Sequence, residues 1–426
     1  MPVYRVPQPW LREAVESVLG QTYENWELLI ADDGSDDSEL RDGSSMNSAG
    51  VGVSMAADAS TAEAAGEDAG AACRRLCDEF ALRDPRIRVF HIAHGGASRA
   101  RNVALDLLCG DCVFFLDGDD RITPECFESL IGVMQREQAD AVMFGGRRIR
   151  SGHDVSGAQL LDGMGVEGEA RAQTTSGAPD ESRTLDRLEA LEALCYVYEY
   201  YPGFEMGSIW GLISREALGP VRFNRQMTIG EDFEFKYRIL QRCRKVICVS
   251  GRYYIYRLQP GSVSLKETDG NVRGNLAELG KLIREERAYP QRLPALICRA
   301  VNIALLMYLR LPEETGKHSS KKSTGLQARQ SIQKLKHRMA GTASGTNAEG
   351  TSGHASGSTS GILSEQEMLE RFLRKYRRYV LSNRKARKKV RAAMACSCVS
   401  FTFMRRIFAI MKPHWNRSYE REAAGR

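Results

Sequence analysis

Strand and helix patterns alternate through the first 145 residues, and no other feature constrains the fold as much. Glu27-Leu28-Leu29-Ile30-Ala31 is a short apolar run ending in Asp32-Asp33-Gly34-Ser35, a strand followed by a turn. Ile87 to Ile92 is a second strand pattern, leading into Gly95-Gly96. Cys112-Val113-Phe114-Phe115-Leu116 reads as a fully buried strand and runs straight into Asp117-Gly118-Asp119-Asp120; Ala141 to Phe144 is another. Helical patterns fill the gaps. Pro9 opens one with Leu11, Ala14, Val15, Val18 and Leu19 on a single face. A second ends near Leu82, Ser98 caps a third that stops at Gly110, and Thr123-Pro124 starts a fourth. The alternation predicts an α/β fold with a mostly parallel central sheet flanked by helices. Ligands on such sheets bind at the carboxyl ends of strands. The acidic clusters at 32–33 and 117–120 both fall there, so the fold can bring them into one cleft.

Composition sets the bounds. A chain of 426 residues, 42% apolar and 27% charged, supports a sizeable core and excludes wholesale disorder. Residues 1–145 form one half with a flexible Gly/Ala/Ser/Asp insertion at 41–70, and 146–184 is a second such insertion. Residues 185–265 form another half, 266–311 a helical extension, 312–361 a linker without periodicity and 362–426 a basic helical tail. The net charge is +6, yet from Leu363 onward there are 17 Lys/Arg against 5 Asp/Glu, so the remainder is net acidic. Such a tail suits a polyanion, and Phe401, Phe403, Ile407, Phe408 and Ile410 among its basic residues suit an anionic inner-leaflet surface. The same pattern also fits a solvated basic helix that packs its apolar side on the domain.

Eleven cysteines without a regular framework, and no signal peptide, read as free thiols in a cytoplasmic chain. Cys73-x3-Cys77 with His91-x2-His94 imitates a zinc site, but helical and strand-like settings favour packing. No run reaches the ~20 apolar residues of a membrane span.

The spacing Asp117-x-Asp119 after a buried strand suits a nucleotide diphosphate. Mn²⁺ or Mg²⁺ held by one or two carboxylates and the phosphates would neutralise the diphosphate. Alternate carboxylates at a strand end point similarly, one to metal and one to ribose. A solvated acidic turn is the bland counterpart.

The motifs now become specific. Pro2-Val3-Tyr4, the run from Ser17-Val18-Leu19-Gly20-Gln21-Thr22-Tyr23 to Asp33-Gly34-Ser35, Gly95-Gly96-Ala97-Ser98-Arg99-Ala100-Arg101-Asn102 and Phe115-Leu116-Asp117-Gly118-Asp119-Asp120 occur in one order. Together they resemble the family-2 inverting glycosyltransferases, closely over the first 145 residues and loosely to about 265. The resemblance implies a GT-A fold and transfer of a sugar from a nucleotide diphosphate, a UDP-sugar, to a glycan or lipid-linked acceptor in surface polysaccharide synthesis, with no nucleic-acid partner. It implies that Pro2, Tyr4 and Asp33 contact the nucleoside, Asp117 the ribose and Asp119 the metal. It sets Arg101 toward the donor, where a cation at a helix start suits an anion; an arginine bracing Asp32 or Asp117 fits as well. Gly230-Glu231-Asp232-Phe233 matches the family's acidic motif, which makes Asp232 the general base beside Glu231 on the acceptor side. Acids in a helix's first turn also stabilise its dipole. Trp210 resembles an acceptor-side residue able to stack on a sugar, though a core tryptophan fits equally. Arg257 could reach the diphosphate or brace the fold. The family usually has about five more hydrophobic residues before Pro2, so a start codon assigned too late is expected. Two other classes share parts of this pattern. A nucleotidyltransferase would need a Gly-rich basic loop after the first strand, which Tyr4 to Trp10 lacks, and a non-catalytic sugar-nucleotide or membrane-binding module would not need Asp232.

Overall fold

The computed structural model describes residues 1–35, 69–150, 182–196, 211–258, 271–311 and 364–408. Three parallel strands come first: β1 (Pro2–Val3) pairs with β2 (Leu28–Asp33), which pairs along its length with β3 (Ile87–Ile92). All six residues of β2 are buried, as a strand covered on both faces requires. The cover comes from α1 (Gln8–Leu19) and α2 (Ala69–Arg83). Leu11, Ala14, Val15 and Val18 of α1 join Cys73, Leu76, Cys77 and Phe80 of α2 in one apolar cluster with Val3 and Ile30. Met1 extends the ladder beyond β1. Its amine donates to the Leu29 carbonyl at 2.8 Å and its carbonyl accepts from the Ala31 N–H at 2.9 Å, so these groups of β2 are paired.

The second sheet is mixed. Its order is β4 (Cys112–Phe114), β8 (Leu212–Ser214), β6 (Ala141–Arg150), β9 (Lys245–Leu258) and β5 (Arg121–Ile122), with β7 (Ser182–Asp186) also on β9. Only β6 and β9 run parallel in it; β8, β5 and β7 are antiparallel to their partners. The mostly parallel order expected from strand–helix alternation thus holds in β1–β3 and not in the second sheet. Helices also separate the later strands in the chain, but most of those strands pair antiparallel with distant segments, an arrangement that does not require the crossover connection of parallel neighbours. β4 is shorter and less covered than its apolar run suggests: Cys112, Val113 and Phe114 are half-buried, and only Phe115 and Leu116 beyond it are buried.

Helices α3 (Ala97–Leu107), α4 (Cys126–Glu137), α5 (Arg187–Tyr196), α6 (Arg215–Leu218) and α7 (Glu231–Arg242) flank these sheets. The cap of α3 is Gly96, with φ 87°, and not Ser98, which lies inside the helix. The insertion expected at 41–70 lies outside the described residues except Ala69 and Gly70, which already belong to α2. The one expected at 146–184 is narrower at both ends, because β6 runs to Arg150 and β7 starts at Ser182. The linker expected at 312–361 lies outside the described residues.

The C-terminal layer contains α8 (Val272–Glu285), α9 (Leu293–Arg310), α10 (Glu365–Ser382) and α11 (Lys388–Cys396). Ser364 and Glu367 close a capping box that starts α10. Leu369, Leu373, Tyr376 and Val380 then form a buried stripe at helical spacing, packed in one cluster with α9. Val390, Ala393 and Met394 of α11 join it, as do Phe401, Met404 and Phe408 of the helical stretch 401–408. The tail therefore packs its apolar side on the domain and turns Arg371, Lys375 and Arg378 outward. Ile410 lies outside the described residues. Among the described residues, no helix is long and apolar enough to cross a membrane.

Candidate active site

The two acidic strand ends meet across β1. Pro2 and Val3 pair with Ala31 and Asp32 on one side. On the other side lies Gly118, where an added Cβ would stand 3.1 Å from Val3 Cγ2 and 3.3 Å from the Pro2 carbonyl oxygen. Glycine is needed for that close approach.

Within the acidic turn the three aspartates have different surroundings. Asp120 is buried and built into the sheet: Tyr254 donates its hydroxyl to Oδ2 at 2.8 Å, and the Arg257 N–H donates to Oδ1 at 2.7 Å. Burial, then the charges of Asp117 and Asp119, push its carboxyl up to about 8. The Tyr254 oxygen also accepts the Asp117 N–H at 3.1 Å. Arg257 braces the same turn, donating Nε–H to the Asp119 carbonyl at 3.0 Å and pairing with Glu13. Asp119 itself is raised to about 6 by burial and then by Asp117. Adjacent carboxylates that resist ionising together are a donor set that a divalent cation relieves, and the donors are all hard oxygens. Among the described residues no three His, Cys, Asp or Glu side chains converge as a metal cage. Asp119 therefore fits a Mg²⁺- or Mn²⁺-type site of few protein ligands, completed by phosphate and water.

Arg101 joins this turn to the acidic start of α7. Its side chain is 7% exposed, and Nη2 donates to Asp117 Oδ1 at 2.8 Å while Nη1 donates to Asp232 Oδ1 at 3.3 Å. Of the two sequence readings of Arg101, the bracing of Asp117 is present, with the residue buried instead of on the surface. Asp232 is the second residue of α7, preceded by Gly230 at φ 84°. A Cβ at Gly230 would also press on Ile303 Cδ1 at 3.1 Å, so glycine lets α7 start against α9. Glu231 is raised to about 8 by burial and then by the neighbouring Asp232.

Asp33 faces another way. Its oxygens accept the Gly95 N–H at 2.9 Å and the Gly96 N–H at 2.7 Å, and His94 Nδ1 lies 3.0 Å from Oδ2. Asp33 thereby shapes the turn that opens α3. Tyr4 is exposed and stacks on His94, with ring centroids 4.3 Å apart. His91 sits between Asp32 at 2.7 Å and Asp78 at 2.9 Å, while Cys73 and Cys77 are buried side by side on α2. All eleven cysteines are free.

The structure thus gathers Arg101, Asp117, Glu231 and Asp232 around one guanidinium, with Asp119 next to Asp117. Pro2, Tyr4 and Asp33 line the neighbouring strand ends. Trp210 lies outside the described residues. Sequence reasoning gave no part in the site to Tyr254 or Asn275, and met His94 only as half of an imitated zinc site. Asn275 is fully buried on α8, and its Oδ1 accepts the Thr228 N–H at 3.0 Å and the Ile229 N–H at 3.3 Å, steadying the approach to α7. Tyr254 carried a signal as part of the Tyr253-Tyr254-Ile255-Tyr256-Arg257 run, and Asn275 carried none.

Known proteins resemble this chain in sequence and in fold. The model of glycosyl transferase family 2 matches residues 1–41 and 68–176. "Uncharacterized glycosyltransferase EpsJ" of Bacillus subtilis is 24% identical over 62% of this chain and 61% of its own length. "Glycosyltransferase GlyA" of Streptococcus pneumoniae is 26% identical over 62% of this chain and 31% of its own. The chain thus spans about three-fifths of one curated relative and under a third of the other. Among solved structures, S. aureus TarS 1-349 in complex with UDP-GlcNAc superposes with a TM-score of 0.50 at 13% identity, covering 97% of this chain and 90% of that one. Over residues 1–41 and 68–176 the chain is thus similar to glycosyl transferase family 2, and its fold is of the GT-A type.

Proposed function

We propose that this protein is an inverting, metal-dependent glycosyltransferase that moves a sugar from a UDP-type donor to a glycan or lipid-linked acceptor in surface polysaccharide synthesis. The observation that carries the reading is Arg101, whose buried guanidinium holds Asp117 of the strand-end acidic turn and Asp232 of the base motif in one cluster. A direct displacement needs donor and base this close. Tyr4, Pro2 and Asp33 form the nucleoside end, Tyr4 offering an exposed ring face. Asp117 faces the ribose. Asp119 holds the cation, and bound Mn²⁺ or Mg²⁺ would supply charge stabilisation for the departing diphosphate. Asp232 accepts the proton of the acceptor hydroxyl as that oxygen attacks the anomeric carbon from the opposite face. Glu231, raised to about 8, carries its own proton near neutrality and so lowers the negative charge beside Asp232. Trp210 is assigned to the acceptor side by resemblance.

The outward basic face of α10 supports a place on the cytoplasmic side, against anionic lipid, where a lipid-linked acceptor is reached. The test uses the full chain with a panel of nucleotide sugars and Mn²⁺. A donor at 100 times its Kd raises stability by roughly 2.7 kcal/mol. Asp119→Ala should lose the Mn²⁺-dependent part of that stabilisation together with transfer. Full Mn²⁺-dependent transfer by Asp119→Ala would refute the reading.

A further inference from the structure

We propose that Arg101 is a positioning residue: with Asn102 it holds the base Asp232 in register with the donor-side carboxylates. This rests on the transferase reading above and departs from the anion-binding role that family resemblance suggests for Arg101. Arg101 spans from Asp117, in the turn beyond β4, to Asp232, at the start of α7, with one guanidinium. Its plane lies over the Phe223 ring, 5.2 Å from the centroid. The next residue grips the same segment. The Phe223 N–H donates to Asn102 Oδ1 at 2.7 Å, and Asn102 Nδ2 donates back to the Phe223 carbonyl at 2.9 Å. Phe223 in turn stacks on Phe235 of α7, centroids 3.9 Å apart and planes 4° from parallel, with Phe115 edge-on to both.

Two adjacent side chains of α3 therefore fix α7 twice. Asn102 fixes its apolar face through Phe223, and Arg101 fixes its first turn through Asp232. Both carboxylates that the arginine pairs with belong to the site, and burial at 7% exposure leaves it little room to swing out to a free phosphate. A planar fork can serve two carboxylates at a set angle; a lysine ammonium of equal charge is a flexible point and cannot replace it. A misplacement of about 1 Å at a reacting group can cost 10²-fold in rate, so the fork's geometry bears on turnover more than on donor binding.

The test compares the full-length wild type with Arg101→Lys and with Asn102→Ala, which keeps every charge in the site. With a donor that supports wild-type transfer, both variants should lose kcat, Arg101→Lys by about 10²-fold, while donor KM stays close to wild type. Hydrogen exchange over residues 228–236 should rise in both variants, with β2 and α1 unchanged. A raised donor KM at unchanged kcat would assign Arg101 to the diphosphate and overturn the proposal. Unchanged exchange at 228–236 would overturn it too, whatever the rates. If the wild type turns over no nucleotide sugar, the transferase reading fails, and the exchange measurement still decides whether Arg101 holds α7.

Discussion

Around the strand ends of the first 150 residues the buried positions include Asp32, Asp33, Arg101 and Asp120, whereas α9, α10 and α11 bury mainly leucine, valine, alanine, methionine and tyrosine. The first region holds charges away from water and satisfies each with a named partner from a distant part of the chain. The second holds apolar stripes against one another. Burying charge contributes little net stability, because desolvation opposes pairing. Burying Leu373 or Met394 stabilises by the area removed from water. The molecule therefore separates its chemistry from much of its stability, and each can be disturbed without the other.

The largest expected effect is on chemistry. Asp232→Asn should lower transfer by about 10²–10⁴-fold, the range for loss of a general base, while circular dichroism shows a folded protein. Retained transfer would place the base elsewhere. Next comes stability: Leu373→Ala, fully buried on α10, should cost about 2–5 kcal/mol in chemical denaturation. Its kcat per folded molecule should match wild type at low temperature; a parallel fall in kcat would break the separation of the two regions.

An intermediate effect concerns His91, whose pKa burial alone would lower but which hydrogen bonds with Asp32 and Asp78 raise from 6.5 to about 9. A histidine raised on folding contributes stability that is complete below 6.5 and is lost as pH climbs through 9. The denaturation midpoint should fall across that window in wild type and be flatter in His91→Gln. A wild-type profile no steeper than that of His91→Gln would mean that His91 is not charged between its two acids. The smallest effect belongs to the exposed face of α10. Changing Arg371, Lys375 and Arg378 to glutamine should leave stability within about 0.5 kcal/mol. Binding to phosphatidylserine vesicles at low salt should weaken by roughly 1 kcal/mol per residue. Equal binding by wild type and variant would remove the membrane assignment and leave α10 as packing alone.

How much was legible differs along the same lines. The stripe Leu369, Leu373, Tyr376 and Val380 was readable only as helical spacing, since a basic amphipathic helix looks alike on lipid and on protein. The structure gives it α9 as a partner because the apolar face of α9 is wide enough to take it. The acidic turn was readable as a strand-end motif. The separate fates of its aspartates were not, because Tyr254 and Arg257 reach Asp120 from more than 130 residues away.

Residue order alone determined the alternation of elements, the acidic strand ends and the resemblance to one family, since these depend on periodicity and on motifs whose spacing survives in a linear chain. Tertiary structure alone decided that Asp120 is a sheet contact, that Asp33 shapes the Gly95–Gly96 turn, and that Arg101 stands between Asp117 and Asp232. Hydrogen bonds of about 3 Å depend on how separate elements pack, and a pairing between residues 101 and 232 leaves no periodic trace in the sequence.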